Sequence, residues 1–339
     1  MKPLTPRRFA LTLAPFLALL VVVLAVCPLI GSVPVDLHRA LDSSIPRDQN
    51  PDATLLFMLR IPRALLAALA GAALAMAGAA FQALLRNPLA EPYTLGVSSG
   101  AALGAVVAIK LGLDASFLGL TPVPLFAFGG SLVAMLVIYL LARGREGFPT
   151  SVLLLAGVTL SFVFSALILF MHFVADFTES AQMVRWMMGG LDVVGLRPVV
   201  SLVPAWIIGA LALAALARDL NLLAFGSRAA AAKGIDVPRT QKAVFVAASL
   251  LTGAVVSAAG PIGFVGLIVP HVVRFFTGHD QRRLIPASAL AGAAFLVMCD
   301  TAARTLHSSA EIPVGVLTAM LGGPFFLVLL LRQKHRMGV

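Results

Sequence analysis

Charge is scarce in this chain. Asp, Glu, Lys and Arg make up only 12% of its 339 residues, about half the share of a soluble domain, while 60% are hydrophobic. So many apolar side chains cannot be hidden in one water-soluble core, so most must face lipid or other membrane helices. Cysteine is nearly absent: Cys27 and Cys299 both lie in apolar runs, and no disulfide framework is suggested. There is no Gly-x-x-x-x-Gly-Lys-Ser/Thr loop, no His-Glu-x-x-His pair and no Cys-x-x-Cys pair. These absences exclude ATP binding by a phosphate loop and the commonest zinc patterns, and no metal site is expected. No polar stretch is long enough to fold alone. The net charge of +10 could signal nucleic acid, but the basic residues punctuate the ends of apolar runs instead of gathering on one domain, so no nucleic-acid partner is expected.

Ten apolar runs are present, near residues 9–31, 60–85, 94–112, 120–142, 150–174, 197–217, 239–260, 262–278, 284–305 and 313–331. Each is long enough, at 1.5 Å per residue, to cross about 30 Å of hydrocarbon. The expected fold is an all-α polytopic membrane protein, a single transmembrane domain over residues 1–339. The run from Phe9 to Ile30 follows Lys2, Arg7 and Arg8 and reads as a first spanning helix, not a cleaved signal, because it is as long as a full span and Val26 is bulky for a cleavage box. With both termini inside, 17 of the 25 Lys and Arg fall on the inner side, Arg145, Lys334 and Arg336 among them, and the positive-inside bias selects this orientation. Most acidic residues, including Asp48 and Asp114, then lie outside. The longest outer loop is about 31–59, and the longest inner one about 218–242. A short amphipathic segment, Ser180 to Leu191 with Trp186, reads as lying at the interface.

Several stretches say more than "membrane". Residues 260–271 read Gly-Pro-Ile-Gly-Phe-Val-Gly-Leu-Ile-Val-Pro-His, with three glycines and two prolines inside an apolar region. A plain anchor has no need of such a run, whereas a pathway does, because helices there start, break or pack closely. Arg60-Ile61-Pro62-Arg63 opens the second run, with proline in a first turn and two cations on the outer side. Those arginines either snorkel to lipid phosphates or await carboxylates on a docking partner. Arg86 to Pro92 makes a stiff inner elbow, a gate or simply a turn. Gly226 to Asp236 holds an alanine run that favours a short helix, with Gly234 as its stop. That helix is a surface turn or a knob for a groove on another protein. Gly96-Val97-Ser98-Ser99-Gly100 looks like a nucleophile elbow only superficially, and its small residues with Gly104 let two helices approach. Asp300 and Arg304, four apart, read as a self-neutralised pair on one helix face, with a proton or cation site as the sharper alternative. His172 and His271 read as packing or polar-contact residues. Phe162, Phe164, Met171 and Phe173 line a pathway or simply pack.

Arg60–Arg63, Gly71 to Gln82, Asn87-Pro88-Leu89-Ala90, Leu95 to Ala101, the 260–271 run and Glu311 to Gly315 occur in an order and spacing that closely resemble the FecCD family, the permease subunits of type II ATP-binding-cassette importers. The resemblance covers nearly the whole chain. It implies a homodimer of ten-helix subunits in the bacterial inner membrane, two cytoplasmic ATPase subunits that carry the ATP and Mg, and a periplasmic or surface binding protein. No cofactor would bind this chain. Arg60 and Arg63, with Arg304 as a third, match family arginines that meet glutamates on the binding protein. Gly226, Ser227, Arg228, Ala229, Ala230, Lys233, Gly234 and Ile235 match the loop that couples to the ATPase, although Arg228 stands where a wider importer pattern has Glu. Asn87, Leu89, Thr150 and Ser151 match positions that narrow the inner end of the pathway, with Gly260, Pro261, Gly263 and Gly266 beside it. The implied cargo is a metal chelate, ordered by family frequency as ferric siderophore, haem, cobalamin. The rival class is an ion-coupled secondary transporter, distinguished by its energy source.

Overall fold

The stretch richest in alanine becomes the centre of the bundle. In the computed structural model, which describes residues 5–46, 49–113, 121–144, 149–306 and 311–337, helix α2 runs without a break over Pro51–Leu84. Its most apolar window is 83% buried, against 6% for the window of α1, Pro6–Val26, which sits at the periphery. Small side chains explain the difference, because they let backbones meet. A Cβ on Gly71 would collide with the carbonyl of Gly292, and one on Gly78 with the carbonyl of Gly266. Lys2, Asp48, Asp114 and Arg145 lie outside the described residues, as do the side chains of Thr150, Arg332, Lys334 and Arg336.

The remaining helices are α3 (Val97–Lys110), α4 (Pro122–Ala142), α5 (Thr150–Phe173), α6 (Phe177–Met187), α7 (Arg197–Leu223), α8 (Ser227–Ala231), α9 (Val237–Ala259), α10 (Val265–Thr277), α11 (Gln281–Thr305) and α12 (Val314–Met337). No strand occurs among the described residues. Helices α7, α9, α10 and α11 pack around α2, α1 lies along α11, and α3 pairs with α4 and α5. At the α3–α4 contact a Cβ on Gly100 would sit 2.5 Å from the Cβ of Ala134. The small residues at 96–104 therefore serve close packing.

Three expectations need correction. Among the described residues eight helices are long and apolar enough to span, but α3 and α10 have only 14 and 13 residues, about 20 Å each at 1.5 Å per residue. The runs at 94–112 and 262–278 lose their first turns to Pro92–Leu95, a 3-10 turn ending at Gly96 with φ +78°, and to the irregular segment 260–264. Next, Arg60-Ile61-Pro62-Arg63 does not open a helix. Asn50 caps α2 ten residues earlier, and Leu55–Arg60 is a π-helical turn. Pro62 cannot donate to the Met58 carbonyl four residues back. Gly195 N–H donates to that carbonyl instead, at 2.7 Å, which ties the outer end of α2 to the segment before α7. Finally, the amphipathic segment is α6, which starts at Phe177 behind an Asp176–Glu179 capping box and has only 11 residues, too few to cross.

Candidate functional site

Three regions of the bundle carry the candidate residues. The outer end holds an ion cluster. Arg63 Nε lies 2.9 Å from Asp300 Oδ1, and its Nη1 lies 2.6 Å from Glu311 and 2.8 Å from Asp192. Arg304 Nε approaches the other Asp300 oxygen at 3.2 Å. Asp300 is therefore shared between two helices, which corrects the reading of a pair closed within one. The physical reason is burial. At 1% exposure a carboxylate needs more than one cation and hydrogen bond to offset its lost hydration. Arg60 is 5% exposed and donates to the carbonyls of Pro28, Leu29 and Val33, so it clamps the chain leaving α1. Arg304 likewise reaches the Ile30 carbonyl, and its own carbonyl accepts from Ser32 Oγ at 2.7 Å. The three arginines line a cleft of about 280 Å³ together with Asp192 and Glu311, whose side chains are half exposed.

The second region is the break between α9 and α10. Gly260 has φ +66°, and a Cβ there would press on the Trp186 carbonyl at 2.6 Å. Phe264 adopts φ +67°, a left-handed conformation that costs a bulky side chain energy. Its N–H donates to the Glu91 carboxylate, which is 7% exposed. Its ring fills the place a Cβ on Gly322 of α12 would need. Glu91, Phe264, Leu89, Tyr93, Pro261 and Gly263 line a cavity of about 760 Å³ whose other walls are Met187, Met188 and the α12 residues Val316, Ala319, Met320 and Phe326. The end of α6 closes onto this break. Gly190 N–H donates to the Ala259 carbonyl at 2.9 Å and Gly315 N–H to the Gly189 carbonyl at 3.2 Å. Asp192, two residues further on, is the same residue that bonds Arg63.

Of the other pathway candidates, Asn87 folds its side chain back to accept from Leu89 N–H at 3.0 Å. Gly266 meets Gly78, and its carbonyl accepts from Gln82, which in turn accepts from Arg274 at 2.7 Å. Ser151 is exposed at the start of α5, away from this cavity. Phe164 is buried in a different groove, Met171 packs against α3, and Phe162 and Phe173 are exposed, so none of the four lines it. His271 stacks edge-on between Phe275 and Phe325, and His172 meets the Ser180 hydroxyl at 3.0 Å.

The third region is the inner loop. Gly226, at φ +112°, turns the chain into α8, and Gly234, at φ +84°, turns it out. Ala230 is fully buried against Leu223 and Val237, with Ile235 packed beside it. Arg228, Ala229, Lys233 and Gly234 face outward, and Ser227 is half buried. No local motif marks Asn221, which donates to Asp280 and accepts from Gln281 N–H, both at 2.7 Å, and so binds the end of α7 to the α10–α11 turn. Burial raises the Asp280 carboxyl, but bonds from Arg282 and Asn221 outweigh it and hold it at about 2. Glu91, Phe264 and Asp192 also escaped the sequence reading. The Glu-Pro pair at 91–92 and the Gly-Phe-Val-Gly run around Phe264 were visible, but the contact between them spans 173 positions.

The profile of the FecCD transport family matches residues 18–332. A cobalamin import system permease of Halobacterium salinarum is 44% identical over 278 residues, which cover 82% of this chain and 73% of the relative. A hemin transport system permease of Yersinia pestis is 40% identical over 284 residues, covering 82% and 83%. A solved structure described as an inward-facing conformation of a metal-chelate type ABC transporter superposes with a TM-score of 0.80 at 30% identity, covering 95% of this chain and 99% of that one. With ten apolar helices among the described residues, a broken pair at α9–α10 and a match over residues 18–332, the chain belongs to the FecCD transport family.

Proposed function

We propose that this chain is the permease subunit of an ATP-driven importer and passes a metal chelate from a binding protein to the cytoplasm. The observation that carries this reading is the apolar chamber of about 760 Å³ at the α9–α10 break, set in a fold matched by the family over residues 18–332. The chamber is wide and mostly apolar, as suits a bulky chelate held by weak contacts. The names of the cobalamin and hemin relatives support a metal tetrapyrrole as the first candidate, with a ferric siderophore as the alternative cargo. One wall is α12, where Met320 is 66% exposed, so a second copy against this flank would complete the pathway. The termini face the cytoplasm on the positive-inside bias.

Two cytoplasmic ATPase subunits, which bind the ATP and Mg, grip α8 from below. The exposed Ala229 and Lys233 face them, and Ala230 roots the helix on α7 and α9. The Asn221 bridge passes a push on this loop to the α10–α11 turn, and so to the short helix that begins at Phe264. At the outer end Arg60, Arg63 and Arg304 receive the binding protein. Asp192 and Glu311 already occupy Arg63, and their half exposure leaves them open to exchange for incoming carboxylates. Because Asp192 adjoins Gly189 and Gly190 on the α9–α10 break, exchange at Arg63 is felt at the chamber. The chain performs no covalent chemistry. Asp300 is held by two arginines, an arrangement that suits docking and structure better than a proton relay.

The test is uptake of labelled cobalamin, haem and ferric siderophore in a strain lacking this gene, with and without the partner ATPase. Loss of one cargo, restored only when both genes are present, supports the reading. Uptake that persists without the ATPase and collapses with an uncoupler favours an ion-coupled transporter.

A further inference from the structure

Outside the transport path, α1 and the α10–α11 turn enclose a groove of about 570 Å³ lined by Arg8, Leu11, Pro15, Phe16, Phe276 and Arg283, with Thr12 and Leu19 at its edges. The two arginines come from positions 275 residues apart and face one groove at the end of the bundle placed in the cytoplasm above. Neither has an acidic partner among the described residues. Their surroundings make this informative. Arg282, the preceding residue, is matched by Asp280 at 2.7 Å, whereas the Nε of Arg283 is shielded from solvent without a hydrogen-bond partner. A guanidinium nitrogen shielded and unmatched in this way favours an anion beside it, while Arg8, the second cation, is exposed. Below the arginines the walls are apolar and aromatic, with Phe16 and Phe276 edge-on at 6.1 Å and Phe276 itself 73% exposed.

We propose that this groove is a binding site for an anionic phospholipid of the cytoplasmic leaflet, with the headgroup phosphate between Arg8 and Arg283 and an acyl chain along Phe16, Leu19 and Phe276. Charge complementarity selects the occupant. The site offers two unmatched cations above an apolar trough, which a zwitterionic lipid neutralises poorly and a soluble anion leaves half empty. Phosphatidylglycerol, with a net negative headgroup and two acyl chains, carries both features. A lipid held here bridges α1 to the short helix α10 and links the bilayer to the helix that starts at the chamber.

The test is native mass spectrometry of the purified full-length protein, titrated with phosphatidylglycerol or with phosphatidylcholine of the same chains. An arginine near an anionic surface contributes about fivefold in affinity. The first phosphatidylglycerol should therefore bind about 25-fold tighter than phosphatidylcholine. Arg8→Gln and Arg283→Gln should each lower that preference about fivefold and together abolish it, with phosphatidylcholine binding and helical content unchanged. Arg218→Gln with Arg239→Gln, which removes the same charge elsewhere on that side, should leave it intact. A preference that survives the double groove variant, or falls equally in the charge-matched control, overturns the site. Displacement of the lipid by millimolar inorganic phosphate overturns its assignment to a lipid. None of these readouts depends on transport, so failure of the importer reading leaves them able to decide.

Discussion

Arg63 and Glu91 are the two residues whose surroundings most constrain the account. Arg63 holds three carboxylates, one deeply buried and two half exposed. If the exposed pair competes with the docking partner, Asp192→Asn with Glu311→Gln should strengthen binding-protein capture, by up to about fivefold per acid given the worth of exposed ion pairs. Surface plasmon resonance reads this directly, and weaker capture would mean that the acids orient Arg63 instead of competing for it. Glu91, 7% exposed, accepts from the Phe264 N–H at the α9–α10 break. Glu91→Ala should leave that N–H without this acceptor and lower the melting temperature, at a cost of about 1–3 kcal/mol. An unchanged melting temperature would mean that the break holds without this bond.

The helices show which parts of the structure local sequence determines. The alanine run and Gly234 announced α8, and the glycine and proline cluster announced the break at 260–264, because these rest on backbone preferences expressed within a few residues. The start of α2 was misjudged at Arg60. A π turn relocates the strain of Pro62, and Gly195, far along the chain, accepts the consequence. The partners of Asp300 and Glu91 were equally hidden, since only tertiary packing brings residues 63 and 300, or 91 and 264, together. Two element-scale tests follow. Gly78→Ala forces a methyl into the Gly266 backbone and should cost about 1–3 kcal/mol, the range for overpacked interiors, read as a lowered melting temperature. A neutral result would mean that α2 and α10 separate readily. Gly234→Pro should leave the ATPase active but lower cargo moved per ATP, because φ +84° is closed to proline. Unchanged coupling would remove the inner loop from the transmission path.

At the scale of the whole molecule, the central buried helix α2 carries Arg60 and Arg63 at one end and leads at the other into the elbow of Asn87 and Leu89. The broken α9–α10 pair stands beside it, with a chamber that α12 leaves open on one flank. This arrangement accounts for a chain that has few charges, no nucleotide loop and no soluble domain. On the proposed reading, such a chain moves a cargo selected by one partner with energy from another. The most direct test is uptake into proteoliposomes holding the purified permease and its ATPase, supplied with loaded binding protein. The account expects cobalamin, haem or siderophore to accumulate only with internal ATP and Mg, and Arg60→Glu with Arg63→Glu to abolish it while insertion remains normal. Accumulation that needs no ATP, or that proceeds unchanged in the double variant, would contradict it.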